Sequence, residues 1–381
     1  MLKKSYEEIN EKIKKGEAIV LTAEEVSKMA KEMPPQEIVK KVDVVTTGTF
    51  GAMCSSGMFI NFGHSTPPIK MKDVYLNNVE AYAGIAAVDA YIGATEISEN
   101  DPGYGGAHVI EALIAGEDVK LKAYSDGTDC YPLKEIYTRI NKDTVNEMFM
   151  FNPRNSYQNY NVAVNGSNKI KYTYMGSLLP NFNNATYSSA GELSPLLNDP
   201  ELRTIGIGTR IFLGGAQGFV SWNGTQFHTS KPFNDYGIPK SNAATIATIG
   251  NAKEMSREFI RAAYFEKYGT TLFVGVGIPI PVLDEDMARR VSIRNEQIET
   301  SIVDYGEHPS KVLGTTNYSV LQSGKLSING KIVQAASLSS LNKARIIADL
   351  LKQWIKKGGF FLSQPVQVFP TNTSLNKLEI R

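Results

Sequence analysis

Apolar and polar positions follow two rhythms along this chain, and the rhythm changes often. Residues 4–15 carry charges at helical spacing, with Ile9 and Ile13 on one face, which predicts a short amphipathic helix. "EAIVLT" (17–22) reads as a strand. "TAEEVSKMAKEM" (22–33) reads as a helix capped by Thr22, with Glu25 three residues on as the second half of a capping box. "KKVDVVTTGTFG" (40–51) is a β-branched strand that runs into a glycine loop. That loop carries Cys54 and continues through "INFGHSTPPIK", where two prolines oppose regular structure. "NVEAYAGIAAVDAYIGATE" fits either rhythm. "GGAHVIEALIAGED" is a helix opened and closed by glycine, and the strand "VKLKAY" follows. A second loop then carries Cys130, and Pro132 suits the first position of a helix or turn over "PLKEIYTRI".

The middle of the chain, about 151–200, is rich in Asn, Tyr and Ser and predicts strands joined by polar turns, with "NGS" (165–167) a hairpin. Strands and glycine turns continue through "RTIGIGTRIFLGGAQGFVSWNGTQFHT". "AKEMSREFIRAAYFEKYG" (252–269) has the spacing of an amphipathic helix ending in glycine. "TTLFVGVGIPIPVL" is a buried strand ending in a proline loop. A hairpin follows in "KLSINGKIVQA", then a helix in "SLNKARIIADLLKQWIKKGG" and a terminal strand in "FFLSQPVQVF". Helices and strands alternate without a repeat period or a low-complexity linker. The expectation is a mixed α/β fold: residues 1–381 form one large mixed-sheet domain, bilobed with a boundary near 150–165, with its reactive groups on loops after strands.

Composition narrows the function. The 381 residues include 40 Lys and Arg against 39 Asp and Glu, a net charge of +1, which gives no electrostatic reason to expect nucleic acid or an anionic membrane as partner. The longest apolar run carries two prolines, and the charged N-terminus lacks the apolar core of a signal peptide, so the expected location is cytoplasmic. In that compartment two cysteines are buried thiols, metal ligands or reactive groups before they are a structural disulfide.

Known motifs do not supply the chemistry. "GIGTRIFLGGAQG" lacks the spacing of a dinucleotide fingerprint and sits between strands, and prolines block the helix that should follow "GVGIPIP". There is no phosphate loop, H-E-x-x-H, C-x-x-C or G-x-S-x-G. The four histidines, His64, His108, His228 and His308, stand at spacings from the cysteines that match no zinc pattern, so no metal is expected.

The two cysteines remain. Neither lies in an apolar periodic segment, and each sits in a loop after a predicted strand, where an α/β scaffold carries its chemistry. Gly51, Ser55, Ser56 and Gly57 surround Cys54, and such small residues let backbone N–H groups approach a sulfur closely. Cys130 precedes the expected helix at Pro132, whose free N–H groups would favour a thiolate, while Asp126 and Asp129 would oppose it. A small buried hydrophobe is the competing role for each.

Four stretches, "TTGTFGAMCSSGMFINFGHSTPPIKM", "NDPGYGGAHVIEALIAGEDVKLKAYSDGTDCYP", "GTRIFLGGAQGFVSWNGTQ" and "VGVGIPIPVLDED", resemble in order the homocysteine biosynthesis family, the L-aspartate semialdehyde sulfurtransferases. The resemblance implies formation of L-homocysteine from L-aspartate 4-semialdehyde, a sulfur donor such as sulfide, and two electrons. It places the functional cysteines at Cys54 and Cys130, with Cys130 the persulfide carrier. Many family members add a CBS-domain pair and work beside a small ferredoxin-type protein; neither module is expected in residues 1–381. Two cysteines are too few to ligate an iron–sulfur cluster through four thiolates. No cofactor is therefore expected within the chain, and electrons should come from a ferredoxin-like iron–sulfur protein, with a homo-oligomer open. The implied cycle runs through a Cys54–Cys130 disulfide opened by sulfide, which requires the two sulfurs to meet. The substrate carboxylate needs a cation, for which Arg210 is the candidate. His64 is the candidate for proton transfer, and Ser55 and Ser56, next to Cys54, are further substrate-binding candidates. Two other classes use the same thiols: a thiol-disulfide or peroxide oxidoreductase, and a sulfur- or metal-carrier protein.

Overall fold

The computed structural model describes residues 2–380. Its largest element is a nine-stranded antiparallel sheet. The strand order is Ile260–Phe265, Gly269–Gly277, Arg210–Leu213, Ala216–Asn223, Ile246–Asn251, Glu147–Asn155, Gly57–Asn61 and Asp89–Gly93; Thr49–Ala52 also pairs with Gly269–Gly277. A four-stranded sheet, with Val119–Tyr124 between Asp73–Leu76 and Glu135–Ile140, packs nearby. Between the two sheets runs the helix Gly106–Ala115. Its Val109, Ile110 and Leu113 share one core with Met58, Ile60, Ile92, Val74 and Leu121, all buried. Full burial of such side chains contributes about 1.5–3 kcal/mol each, which fixes where both sheets sit.

Two further cores flank this one. The helix Leu341–Lys356 lays Ile347, Leu351 and Ile355 against Phe50 and Phe212 of the large sheet and against Ile9 and Ile13 of the helix Tyr6–Lys15. The latter helix has the Ser5/Glu8 capping box at one end and Gly16 in the left-handed region at the other. The second lobe is a six-stranded sheet in the order Lys311–Asn317, Glu299–Asp304, Val162–Val164, Ala185–Tyr187, Lys331–Ser337 and Lys325–Ile328. Val162, Val164, Tyr318, Leu321 and Val333 form a core of its own. The chain passes from the large sheet to this lobe between Asn155 and Val162. The fold is thus mixed α/β, as the patterning predicts. Among the described residues no helix is long and apolar enough to cross a membrane.

Several expected elements are otherwise. The helix expected over 252–269 is a 3-10 turn at Ala252–Glu254 followed by the edge strand Ile260–Phe265, which pairs along its whole length with Gly269–Gly277. Its open edge is held by the helix Gly106–Ala115: Glu111 accepts the Ala262 N–H at 2.7 Å and pairs with Arg257 at 2.9 Å. Tertiary pairing thus overrides a helical spacing that Met255, Phe259 and Ala263 merely imitate. The helix expected at Pro132 is the strand Glu135–Ile140, and its exposed Tyr137 and buried Ile140 follow a period of two. Cys130 therefore has no helix dipole beside it. The segment after Cys54 is not all loop, since Gly57–Asn61 is a central strand of the large sheet. "NGS" makes no hairpin; Asn165 Oδ1 accepts the Ser167 N–H and hydroxyl in a local turn. The terminal "FFLSQPVQVF" holds only a single bridge, Ile207 to Gln367, since Pro365 has no N–H for a ladder.

Candidate active site

A cavity of about 350 Å³ lies where the two lobes meet. Each wall comes from a different break in the sheets. From the large sheet comes the turn Met53–Ser56, which joins Thr49–Ala52 to Gly57–Asn61 and carries Cys54; the Ser56 N–H closes it on the Met53 carbonyl at 3.0 Å. From the six-stranded sheet come Ser188 and Ser189, just past Ala185–Tyr187, and Ser339, just past Lys331–Ser337. Those two strands are parallel neighbours, and the carboxyl ends of parallel strands are a common place for a ligand. Gly51 stands against this wall: a Cβ there would lie 2.8 Å from the Ser339 hydroxyl, a contact that glycine avoids.

The crossing segment supplies the charge. Register shifts between Asn152 and Asn155 where Glu147–Asn155 meets Ile246–Asn251, and the irregularity aims Arg154 away from the ladder and into the cavity. Ser156 and Asn159 then take positive φ as the chain turns towards the second lobe, presenting Tyr157 and Tyr160 to the same space. Among the described residues no Asp or Glu lines the cavity, so Arg154 is its one fixed charge. Tyr157 lies beside that guanidinium.

Tyrosines form the remaining wall. Tyr157 packs edge-on to Tyr160 at 5.1 Å, Tyr160 to Tyr174 at 6.3 Å, and Tyr174 lies 6.2 Å from Tyr268. Tyr268 comes from the hairpin turn between Ile260–Phe265 and Gly269–Gly277. Burial, with the charge of the neighbouring Cys54 sulfur, pushes its hydroxyl up to about 12. Burial also raises Tyr157, Tyr160 and Tyr174. All four are protonated donors near neutrality.

A family model described as "Homocysteine biosynthesis enzyme, sulfur-incorporation" matches residues 18–362. The chain belongs to that family. A protein of Methanosarcina acetivorans named L-aspartate semialdehyde sulfurtransferase is 52% identical over 370 residues, covering 96% of this chain and 72% of the relative. One of Methanocaldococcus jannaschii with the same name is 53% identical over 384 residues, covering 96% and 73%. A more distant protein of Methanothermobacter thermautotrophicus, named only as uncharacterized, is 28% identical over 336 residues, covering 85% and 73%. No solved structure matches the chain.

Within this member of the family, the residues singled out from sequence separate. Cys54 and Ser55 line the cavity. Ser55 and Ser56 spend their hydroxyls on the turn itself: Ser55 donates to Asn152 Oδ1 at 2.9 Å, and Ser56 donates to the Met53 carbonyl at 2.7 Å. Ser56 is buried and lies outside the lining. Arg210 is not in the cavity. It sits on the strand Arg210–Leu213 between the rings of Phe219 and Phe360, donating to the Phe361 carbonyl. His64 is also elsewhere, its ring stacked 6.2 Å from Tyr131.

That stack also places Cys130. The thiol is exposed at the tip of the hairpin loop between Val119–Tyr124 and Glu135–Ile140, where Thr128 and Tyr131 exchange backbone hydrogen bonds. Asp126 is engaged by Lys72 at 3.0 Å. Tyr131 rests on His64, beyond the Asn61 end of Gly57–Asn61, while Cys54 precedes the Gly57 end. Five residues of strand span about 16 Å, against the roughly 7 Å between Cα atoms that a disulfide tolerates. Both cysteines are free, no disulfide joins them, and Cys130 is not among the residues that line the cavity with Cys54.

Arg154, Tyr157, Tyr268 and Asn152 are the site residues that the sequence reading missed. For all but Tyr268 the signal is the string "NPRNSYQNYN", which patterning reads as turn chemistry. An arginine amid so many turn formers, at a passage between lobes, is the feature that marks it.

Proposed function

We propose that the protein forms L-homocysteine from L-aspartate 4-semialdehyde, a sulfur donor and two electrons. The observation that carries this reading is the pairing of a half-buried thiol, Cys54, with a lone guanidinium, Arg154, in one cavity. An amino acid that is also an aldehyde needs both: a cation for its carboxylate and a sulfur at its reacting carbon. The names of the relatives in Methanosarcina acetivorans and Methanocaldococcus jannaschii support the same substrate.

The cycle balances as follows. Sulfide opens a Cys54–Cys130 disulfide and leaves a persulfide on one sulfur and a thiol on the other. The persulfide attacks the aldehyde carbon, and its oxygen takes a proton from a cavity hydroxyl; Tyr268 and Tyr157 are the donors in place. The second thiolate displaces the sulfur-bearing product and restores the disulfide. Loss of water gives a thioaldehyde, and two electrons with two protons reduce it to the thiol. Cys130, exposed on its hairpin, is the sulfur that sulfide reaches first and carries the persulfide to the cavity, where Cys54 is the thiol that releases the product. The disulfide stage requires the Thr128–Tyr131 tip to leave His64, or a second copy to present its own. Two cysteines cannot hold a four-thiolate cluster, so the electrons come from a low-potential iron–sulfur protein.

The test is anaerobic incubation of the purified chain with L-aspartate 4-semialdehyde, sulfide and titanium(III) citrate, with homocysteine read by mass spectrometry. Absence of homocysteine would overturn the reading. Homocysteine from a Cys54→Ala variant at the wild-type rate would overturn the site.

A further inference from the structure

Among the described residues the cavity holds a cation for a carboxylate but no carboxylate for an ammonium. Among the described residues Arg154 is its single fixed charge, and no Asp or Glu lines it. The serine hydroxyls of the lining keep lone pairs that can accept from an ammonium, but each already has a partner within the wall. Ser188 bonds Ser339 at 3.1 Å, Ser189 bonds Ser194 at 2.8 Å, and Ser156 donates to Asn155 at 3.1 Å. Ser55 donates to Asn152. Among the described residues the fully buried side-chain polar atoms left without a partner, on Asn198, Arg210, Ser221, Thr271 and Tyr318, all lie outside the lining. A site rejects a substrate lacking a polar group strongly when that absence strands a buried partner. Here the loss of an α-ammonium strands none.

Resting on the function above, we propose that the same site also converts carboxylate-bearing aldehydes that lack the α-amine, turning a four-carbon aldehyde acid into the corresponding mercapto acid. What discrimination remains comes from the faces of the tyrosines, which attract an ammonium. A desolvated contact of that kind is worth about 30-fold in specificity. The chemistry at carbon is unchanged. The C=O bond is lost, its oxygen leaves as water, sulfide supplies the new C–S bond, and a one-electron reductant used twice supplies two electrons, with two protons from solvent. The carboxylate is the handle that both substrates share, and Arg154 is its partner in both.

The experiment uses the intact chain with sulfide and titanium(III) citrate under argon, in parallel with L-aspartate 4-semialdehyde and with succinate semialdehyde. Homocysteine and 4-mercaptobutanoate are quantified by mass spectrometry. The expected result is a kcat/KM for succinate semialdehyde within about 30-fold of that for the amino acid. An Arg154→Met variant should lose both activities by a similar factor. Homocysteine formation with 4-mercaptobutanoate absent, or slower by more than that margin, overturns this inference and leaves the proposed function standing. Absence of both products overturns the two together.

Discussion

Asn152 Oδ1 accepts the hydroxyl of Ser55 at 2.9 Å and the N–H of Arg154 at 2.8 Å, while its Nδ2 donates to Ser56 Oγ at 2.8 Å. One fully buried amide thus ties the turn that carries Cys54 to the residue that carries the cavity's charge. Asn152→Ala removes all three bonds; Ser55 and Ser56 keep their bonds to the Arg154 and Met53 carbonyls, while the Arg154 N–H loses its partner. At about 1–3 kcal/mol for each stranded buried group, the melting temperature should fall by several degrees. Turnover should fall more than tenfold, because the sulfur and the guanidinium lose their common support. A folded Asn152→Ala protein with wild-type kcat would show that the amide is packing alone.

Arg154 and Arg210 give opposite expectations. Arg154→Met should raise KM for the aldehyde acid about 100-fold, the equivalent of a charge-assisted carboxylate pair. Arg154→Lys keeps the charge but loses the planar fork, so its KM should fall between that of Met and that of the native residue. Arg210→Met should leave KM within about threefold and act on stability instead, since Arg210 is wedged between Phe219 and Phe360 outside the cavity. Steady-state kinetics on the three variants decide it.

What sequence patterning reads well here is local. The capped helix at Ser5, the capping box at Thr22, the "NG" hairpin in 325–337 and the helix 341–356 all follow from residues within a few positions of one another. What it misreads depends on partners far away. Ile260–Phe265 is a strand because Gly269–Gly277 pairs with it and Glu111 covers its edge. Cys54 was legible because a cysteine between glycines and serines is rare, and it does line the cavity. Arg154 was not, because only the register shift in its strand turns it inward, and nothing in "NPRNSY" fixes that register. The separation of Cys54 from Cys130 is set by the length of Gly57–Asn61 and by the His64–Tyr131 stack, both invisible before the sheet is assembled.

The tyrosine wall predicts a specific alkaline weakness. Burial raises Tyr157, Tyr160, Tyr174 and Tyr268 in the folded protein, the last to about 12, against an ordinary value near 10. Below pH 10 both folded and unfolded states keep these protons, and the stability is intact. Above it the unfolded chain releases them while the folded one holds them, so stability falls with rising pH from about 10 through 12. Thermal melts across pH 8–12, read beside tyrosinate absorbance, should show melting temperature dropping before these tyrosines ionise in the native protein. Ionisation of every tyrosine near pH 10 without loss of structure would contradict the burial that places them around the cavity.

Cys54 and Cys130 should behave as two independent thiols in the resting protein. Cys130 is exposed on a hairpin tip, and Cys54 is half-buried at the cavity. Under anaerobic conditions, iodoacetamide should therefore modify Cys130 first and Cys54 more slowly, and a carboxylate that occupies Arg154 should protect Cys54 alone. Peptide mass spectrometry after timed quenching reads both sites. The disulfide stage of the cycle then makes its own demand, because the sulfurs must close a gap set by a five-residue strand. Mild oxidation with diamide followed by a non-reducing gel separates the two routes. A cross-link within one chain means that the Thr128–Tyr131 tip swings away from His64, and Tyr131→Ala should then speed its formation. A cross-link between chains, growing with protein concentration, means that one copy serves the other's cavity. A protein that already carries the Cys54–Cys130 disulfide before oxidation, with neither thiol open to iodoacetamide, would contradict the separation on which both routes rest.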